Sequence, residues 1–286
     1  MPTAIVMKCA PELFRFTNAV VRAIHPDIAT GALRRGGGPS GVCLDTALKQ
    51  HALYERALER CGLQVQKLAT TKCDSPDSVF VEDTAVFLHH MDEVFITNPG
   101  AASRRSEVRA MESMMLRRYG NVCCSMDAHG DATLDGGDVL FTGHEYVVGV
   151  GSRTNAKGVM QLAAAVAKSG HRVLPIDISS WPSLHLKSFC SAIGDSHILV
   201  GGKEGARLET HLEKVSPGKY IFTRVPDTAA ANVVLANGTI IRRADSEFPA
   251  SAAAFTALAA EQVQIEMSEL GKVDGALTCC SVLFRE

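Results

Sequence analysis

No run in this 286-residue chain is apolar enough, for long enough, to span a bilayer. Residues 1–10 are too short for a secretory leader and carry no cleavage pattern, so we expect a cytoplasmic protein. Excess charge of one sign is also missing. Lys+Arg 29 against Asp+Glu 31 gives a formal net charge of -2, and basic runs stop at pairs such as Arg34-Arg35 and Arg242-Arg243. That balance leaves no footprint for nucleic acid or an anionic membrane, so ligand preference must come from local charge. Among nine cysteines there is no C-x-x-C. Cys123-Cys124 and Cys279-Cys280 are adjacent pairs, which excludes the usual structural zinc spacings. In a reducing compartment these thiols are expected to stay unbridged. The glycine run Gly36-Gly37-Gly38 is not followed by the Lys-Ser/Thr of a phosphate loop. The surrounding segment, 26–41, suits a lid over a site or a flexible connection.

What is present is an ordinary globular composition, 46% hydrophobic and 21% charged. The length allows one large domain or two small ones, and the pattern favours a single domain over 1–286. Apolar periodicity predicts helices over 42–60, 105–119, 155–169, 205–214 and 250–262. After each comes a strand (63–68, 122–125, 173–178, 220–223, 263–267). A further pair of strands follows the first four, at 84–88 with 94–97, 139–142 with 146–150, 189–192 with 198–200, and 233–235 with 239–242. Asn237-Gly238 supplies the positive φ angles of a tight hairpin turn. The last strand, 277–283, finds its partner in 19–24, which would close a ring of five α/β units. A mixed α/β sandwich fits the same pattern. A period of roughly 50 residues lies in the range of propellers and solenoids.

The loops between these elements hold the polar residues that regular packing does not require. Asp77 and Glu82 flank Val79-Phe80-Val81. Two acids beside an aromatic face suit a planar cation such as guanidinium. Asp135 opens Asp135-Gly136-Gly137-Asp138, and His185 sits in Leu184-His185-Leu186-Lys187-Ser188. Asp274-Gly275 precedes Cys279-Cys280 in what reads as a buried strand, where only one of two neighbouring thiols can face a given cavity. Taken alone, each thiol reads as a small core hydrophobe. With His185 as proton shuttle and Asp135 to orient it, Cys279 becomes a nucleophile. Nearby acids oppose thiolate formation, and a bound cation would reverse that. Arg104 and Arg153, near predicted helix starts, could hold the anionic end of such a ligand or simply pair with surface acids. The loop around Pro226-Asp227 is the plainest of the five.

Several segments together, in order along nearly the whole chain, resemble the dimethylarginine dimethylaminohydrolase family. They are Val79-Phe80-Val81-Glu82-Asp83, Pro99-Gly100 with Ser103-Arg104-Arg105, and Thr133-Leu134-Asp135-Gly136-Gly137-Asp138-Val139-Leu140-Phe141-Thr142-Gly143. Leu184-His185-Leu186-Lys187-Ser188-Phe189-Cys190, Met267-Ser268-Glu269-Leu270 and the run from Lys272-Val273-Asp274-Gly275 to Val282-Leu283 complete the set. The resemblance implies a five-unit, pseudo-fivefold α/β-propeller closed by the two terminal strands. It implies Cys279 as nucleophile, His185 as general acid/base and Asp135 as its orienting acid. It places Asp77 and Glu82 on the guanidinium, and Asp83 with the carbonyl of Leu33 on the amino group. Arg104 and Arg153 become the carboxylate clamp, with Phe80, Ser188, Val273 and Asp274 as further substrate-binding positions. The implied reaction converts asymmetric dimethylarginine or monomethylarginine to citrulline without a cofactor. Zinc at Cys279 and His185 would be inhibitory, not structural. The small molecule is the only partner implied, with the protein monomeric or homodimeric. Residues 34–41 and 127–131 depart from the family pattern. A related arginine deiminase or amidinotransferase, or a silent methylarginine binder, are the competing readings.

Overall fold

Five antiparallel strand pairs, four of them hairpins and each extended by one more strand, organise the described residues. The computed structural model describes residues 5–6, 12–36, 41–120, 123–127 and 130–286. Positions 37–40 of the expected lid, and 128–129 of the segment 127–131, lie outside the described residues.

Ala85–Leu88 pairs antiparallel with Glu93–Ile96, and Cys123–Ser125 then joins in parallel. The same arrangement recurs in Val139–Phe141, Tyr146–Val150 and Val173–Asp177. Cys190–Gly194, His197–Gly201 and Ile221–Val225 form the next sheet, followed by Val234–Ala236, Thr239–Arg243 and Glu261–Ile265. In a fifth three-stranded sheet Val282–Phe284 lies antiparallel to Asn18–Arg22, which takes Gln64–Leu68 in parallel, and a separate two-stranded sheet pairs Ile5–Val6 with Leu258–Ala259. The two ends of the chain therefore share a sheet, as expected. A parallel third strand needs a crossover, and a helix supplies it. Leu44–Arg60, for example, buries Ala47, Tyr54, Ala57 and Leu58 at helical spacing.

The first strands Ala85–Leu88, Val139–Phe141 and Val234–Ala236 are buried throughout, whereas Gln64–Leu68, Ile221–Val225 and Glu261–Ile265 are largely uncovered. Unbroken apolar runs mark the strands covered on both faces. Asn237 at φ 53° and Gly238 at φ 94° form the expected turn between Ala236 and Thr239. Among the described residues no helix is long and apolar enough to cross a membrane.

Two elements differ from expectation. The alanine-rich helix over 250–262 is only Ala252–Thr256, and Glu261–Ile265 is a strand in register with Thr239–Arg243. Pairing with a neighbouring strand outweighs local helix propensity there. The supposed strand over 277–283 begins only at Val282. Leu277 has helical backbone angles (φ -61°, ψ -46°) and Thr278–Cys280 is a 3₁₀ turn. The separation of the two thiols comes from that turn, not from strand alternation. A 3₁₀ turn precedes the leading strand of each of these five three-stranded sheets: Val81–Thr84, Gly136–Asp138, Leu186–Ser188, Thr228–Ala231 and Thr278–Cys280.

Candidate active site

These turns carry the chemistry. Asp135 immediately precedes Gly136–Asp138, His185 precedes Leu186–Ser188, and Cys279 lies within Thr278–Cys280. Cys279 and His185 line one narrow cavity of about 30 Å³ together with Asp77, Asp83 and Arg153. Leu33, Phe80, Val273 and Asp274 complete much of its wall.

The imidazole is held at Nε2, 2.9 Å from Asp135 Oδ2, with Asp83 Oδ1 3.9 Å from the same nitrogen. Asp135 Oδ1 accepts the Gly100 N–H at 2.8 Å. The carboxylate is thus pinned on both oxygens and cannot swing away from the ring. Gly100 is required here because a Cβ would meet the Arg153 carbonyl oxygen at 2.2 Å. Gly137 donates its N–H to Asp83 Oδ1 at 3.1 Å. A side chain there would come 2.9 Å from His185 Nδ1. The paired glycines are thus what lets the Asp135 turn approach both Asp83 and the imidazole.

Asp138 supports the same dyad from behind. Its Oδ1 accepts the Leu186 N–H at 3.0 Å, and its Oδ2 accepts the Thr154 hydroxyl at 2.7 Å. Thr154 Oγ1 in turn accepts the Asp135 N–H at 3.1 Å. The motif containing Asp138 was visible in the sequence, but its link to both the Asp135 and the His185 turns was not.

Several expected roles shift. Arg104 lines the cavity, yet its guanidinium is committed to protein. It donates to Asp83 Oδ2 at 2.5 Å, to the Phe80 carbonyl at 2.8 Å and to Glu107 Oε2 at 2.9 Å. Glu107 is fully buried, three residues along the same turn. Arg104 thus serves here as the counter-ion of the buried acids Asp83 and Glu107. Arg153 differs: its NH1 is buried without a hydrogen-bond partner and stands 3.8 Å from Asp135 Oδ2. A buried donor left unpaired is costly unless a ligand completes it.

Glu82 is not in the wall of the Cys279 cavity. It lines a larger neighbouring cavity of about 160 Å³, where Lys187 Nζ donates to it at 2.5 Å and Thr278 Oγ1 at 2.9 Å. Asp77 and Glu82 thus do not form the expected matched pair. Asp77 instead accepts the Leu33 N–H at 3.1 Å on both oxygens, and Asp274 accepts the Arg35 N–H at 2.8 Å. It is the N–H of Leu33 that these hydrogen bonds engage, where its carbonyl was expected to act. Asp83, expected at the amino group, lies beside the imidazole. Ser188 is absent from the cavity wall, and its hydroxyl accepts the His185 N–H at 3.3 Å.

The electrostatics favour a protonated site. Burial alone would depress the His185 imidazolium, but Asp83, Asp138 and the hydrogen bond to Asp135 outweigh it and raise the pKa to about 9. Burial, then Glu82 and Asp83, push the Cys279 thiol well above its usual range. Asp83 is held down at about 2: burial opposes this, but His185 and Arg104 prevail. Burial lifts Asp138 to about 7, against the nearby His185 charge. At neutral pH the resting pair is a thiol facing an imidazolium. Asp83, Asp135 and His185 bring ligand atoms within 4.8 Å of one another, as a metal trio might. Here the imidazolium and Arg104 already supply the positive charge, so the donors fit a cation network better than a metal.

Asp135→Asn is expected to lower kcat by about 10²–10⁴-fold. Loss of that charge and acceptor lowers the His185 pKa, so the alkaline limb of activity, where the imidazolium is lost, moves to lower pH. A pH–rate profile checks this. An unmoved alkaline limb would mean that His185 is not the group reporting there.

The family model for arginine deiminase matches residues 73–205. A dimethylarginine dimethylaminohydrolase of Streptomyces coelicolor is 37% identical over 270 residues, covering 94% of this chain and 97% of that protein. Its counterpart in Pseudomonas aeruginosa is 29% identical, covering 83% of this chain and 88% of that protein. The solved structure of a cysteine-to-serine mutant of the Pseudomonas aeruginosa enzyme, complexed with citrulline, superposes with a TM-score of 0.82 at 27% identity, covering 95% of this chain and 100% of that one. By the near-complete alignment with the Streptomyces coelicolor enzyme, the chain belongs to the dimethylarginine dimethylaminohydrolase family.

Proposed function

We propose that this protein hydrolyses Nω-methylated arginines to citrulline, using Cys279 as the nucleophile and His185 as general acid and base. The observation that carries this is the meeting of Cys279 and His185 in one acid-lined cavity, with Asp83 beside the imidazole and a buried Arg153 NH1 that no hydrogen bond satisfies. The cationic guanidinium of the substrate sits between the thiol and the Glu82 and Asp83 carboxylates. Asp77 and Asp274, beside the Leu33–Arg35 backbone, suit the substrate ammonium. Arg153 takes the substrate carboxylate, while Arg104 keeps Asp83 ionised. Five sheets of one pattern, joined through the terminal strands, support a closed five-unit propeller with the turns gathered on its axis.

In the first step the Cys279 thiolate, its proton lost to solvent on substrate binding, bonds to the guanidinium carbon. His185 then gives its proton to the methylated nitrogen as that C–N bond breaks, releasing dimethylamine or methylamine and leaving a thiouronium on Cys279. The now neutral imidazole takes a proton from water, and the oxygen bonds to the same carbon. As the C–S bond breaks, the proton on that oxygen passes to the departing sulfur, which frees citrulline and restores the resting Cys279 thiol and the imidazolium. Zinc would compete at Cys279 and His185, since thiolate and imidazole both suit it.

Arginine deimination is the second reading, favoured by the family model over residues 73–205. Citrulline release from asymmetric dimethylarginine, monomethylarginine and arginine separates the two. We expect kcat/KM on a methylated arginine to exceed that on arginine by at least about tenfold, with a substrate-derived adduct on the Cys279 peptide by mass spectrometry. Equal rates on arginine would favour a deiminase, and no citrulline from any of the three would overturn the proposal.

A further inference from the structure

The fourth turn, Thr228–Ala231, carries no acid, base or nucleophile, but the residue after it reaches two catalytic turns at once. Asn232 is 1% exposed. Its Nδ2 donates to the Lys187 carbonyl at 2.8 Å and to Thr278 Oγ1 at 2.9 Å, and its Oδ1 accepts the Thr278 N–H at 3.0 Å. Lys187 lies two residues past His185, and Thr278 immediately precedes Cys279.

We propose that Asn232 is a positioning residue that sets the distance between the Cys279 thiol and the His185 imidazole, by tying their two turns to one amide. The inference rests on the reading that these two residues carry the reaction. Asn232 is itself anchored: its N–H meets the Ala229 carbonyl at 3.3 Å, and the Val233 N–H meets Ser191 Oγ at 3.0 Å. The buried strand Val234–Ala236 follows directly.

The chemistry selects an amide. The site offers two acceptors, the Lys187 carbonyl and Thr278 Oγ1, and one donor, the Thr278 N–H. The Thr278 hydroxyl hydrogen is already spent on Glu82 Oε2 at 2.9 Å. A carboxylate of the same shape would keep the Thr278 N–H and lose both donations. Asn232 is not part of the Cys279 cavity wall. Its loss should therefore misplace the reacting groups without removing a substrate contact, and a misplacement of about 1 Å can cost on the order of 100-fold in rate.

The test measures kcat and KM for asymmetric dimethylarginine in the wild type, Cys279→Ser, Asn232→Ala and Asn232→Asp, each rate corrected for the folded fraction from thermal melting. Asn232→Asp preserves shape and one hydrogen bond, so it remains readable if the alanine variant does not fold. We expect kcat to fall at least tenfold in folded Asn232→Asp, with KM within about threefold of wild type. A kcat within threefold of wild type overturns the inference, as does a KM that rises by as much as kcat falls. An active Cys279→Ser would instead overturn the functional reading on which the inference rests.

Discussion

Cys279→Ser is expected to lose citrulline formation by about 10⁴-fold or more while still binding asymmetric dimethylarginine. Burial together with Glu82 and Asp83 already holds the thiol well above its ordinary range. A serine hydroxyl is a far weaker acid than a thiol, so no bound cation could bring it to ionise near neutral pH. Binding should survive, because the groups proposed to hold the ligand, Glu82, Asp83 and Arg153, are untouched. Glu82→Ala should behave in the opposite way. It removes one acid and leaves Lys187, now without its 2.5 Å partner, close to the incoming guanidinium. Calorimetric Kd values should show Cys279→Ser within a few-fold of wild type and Glu82→Ala weaker than either. Turnover above about a hundredth of wild type in Cys279→Ser would require another nucleophile.

The fold was readable where local chemistry and tertiary demand agree. Asn237-Gly238 turned where the positive φ angles required it, and the unbroken run Val139–Phe141 became a buried strand. It failed where a neighbour decides. The helix expected over 250–262 stops at Thr256, because Glu261–Ile265 pairs in register with Thr239–Arg243 and the strand expected over 263–267 starts two residues earlier. The Cys279 turn escaped for the same reason, since Asn232 holds it from another unit. Residue types of the site were legible, but their partners were not. Arg104 could be read as a ligand clamp or as the partner of nearby acids, and only the structure identifies those acids as Glu107 and Asp83. Glu107 at three residues' spacing was an available sign of a paired arginine. Asn232 had no such sign, because a lone asparagine after a plain loop announces nothing until its distant acceptors are known.

Alkylation of Cys279 is expected to show two very different pH dependences, according to whether the reagent carries a cation. The resting thiol, on a half-buried residue, feels the negative charge of Glu82 and Asp83. With chloroacetamide, a neutral reagent, the rate at Cys279 should still be rising at the alkaline end of the accessible range, because each thiolate must form beside those carboxylates. Chloroacetamidine brings an amidinium that occupies the place of the substrate guanidinium. A unit charge about 4 Å from the thiolate is worth roughly 4 kcal/mol at an effective dielectric of 20. At about 1.4 kcal/mol per pKa unit this is close to three units downward. We therefore expect the inflection with the amidinium at least about two units below that with the amide. Exposed Cys43 and Cys73 will react as well, so the rate must be read on the Cys279 peptide by mass spectrometry. Those two surface thiols serve as the internal reference, since neither lines the cavity and their profiles should be the same with both reagents. Glu82→Gln should lower the resting inflection with chloroacetamide, since it removes the stronger of the two charges that oppose ionisation. If both reagents gave one apparent pKa at Cys279, the cation would not be activating the thiol, and His185 would have to act as its base from the neutral form. That alternative is hard to reconcile with an imidazolium held to about 9 by Asp83, Asp138 and Asp135, because little neutral imidazole exists near pH 7 to accept the proton.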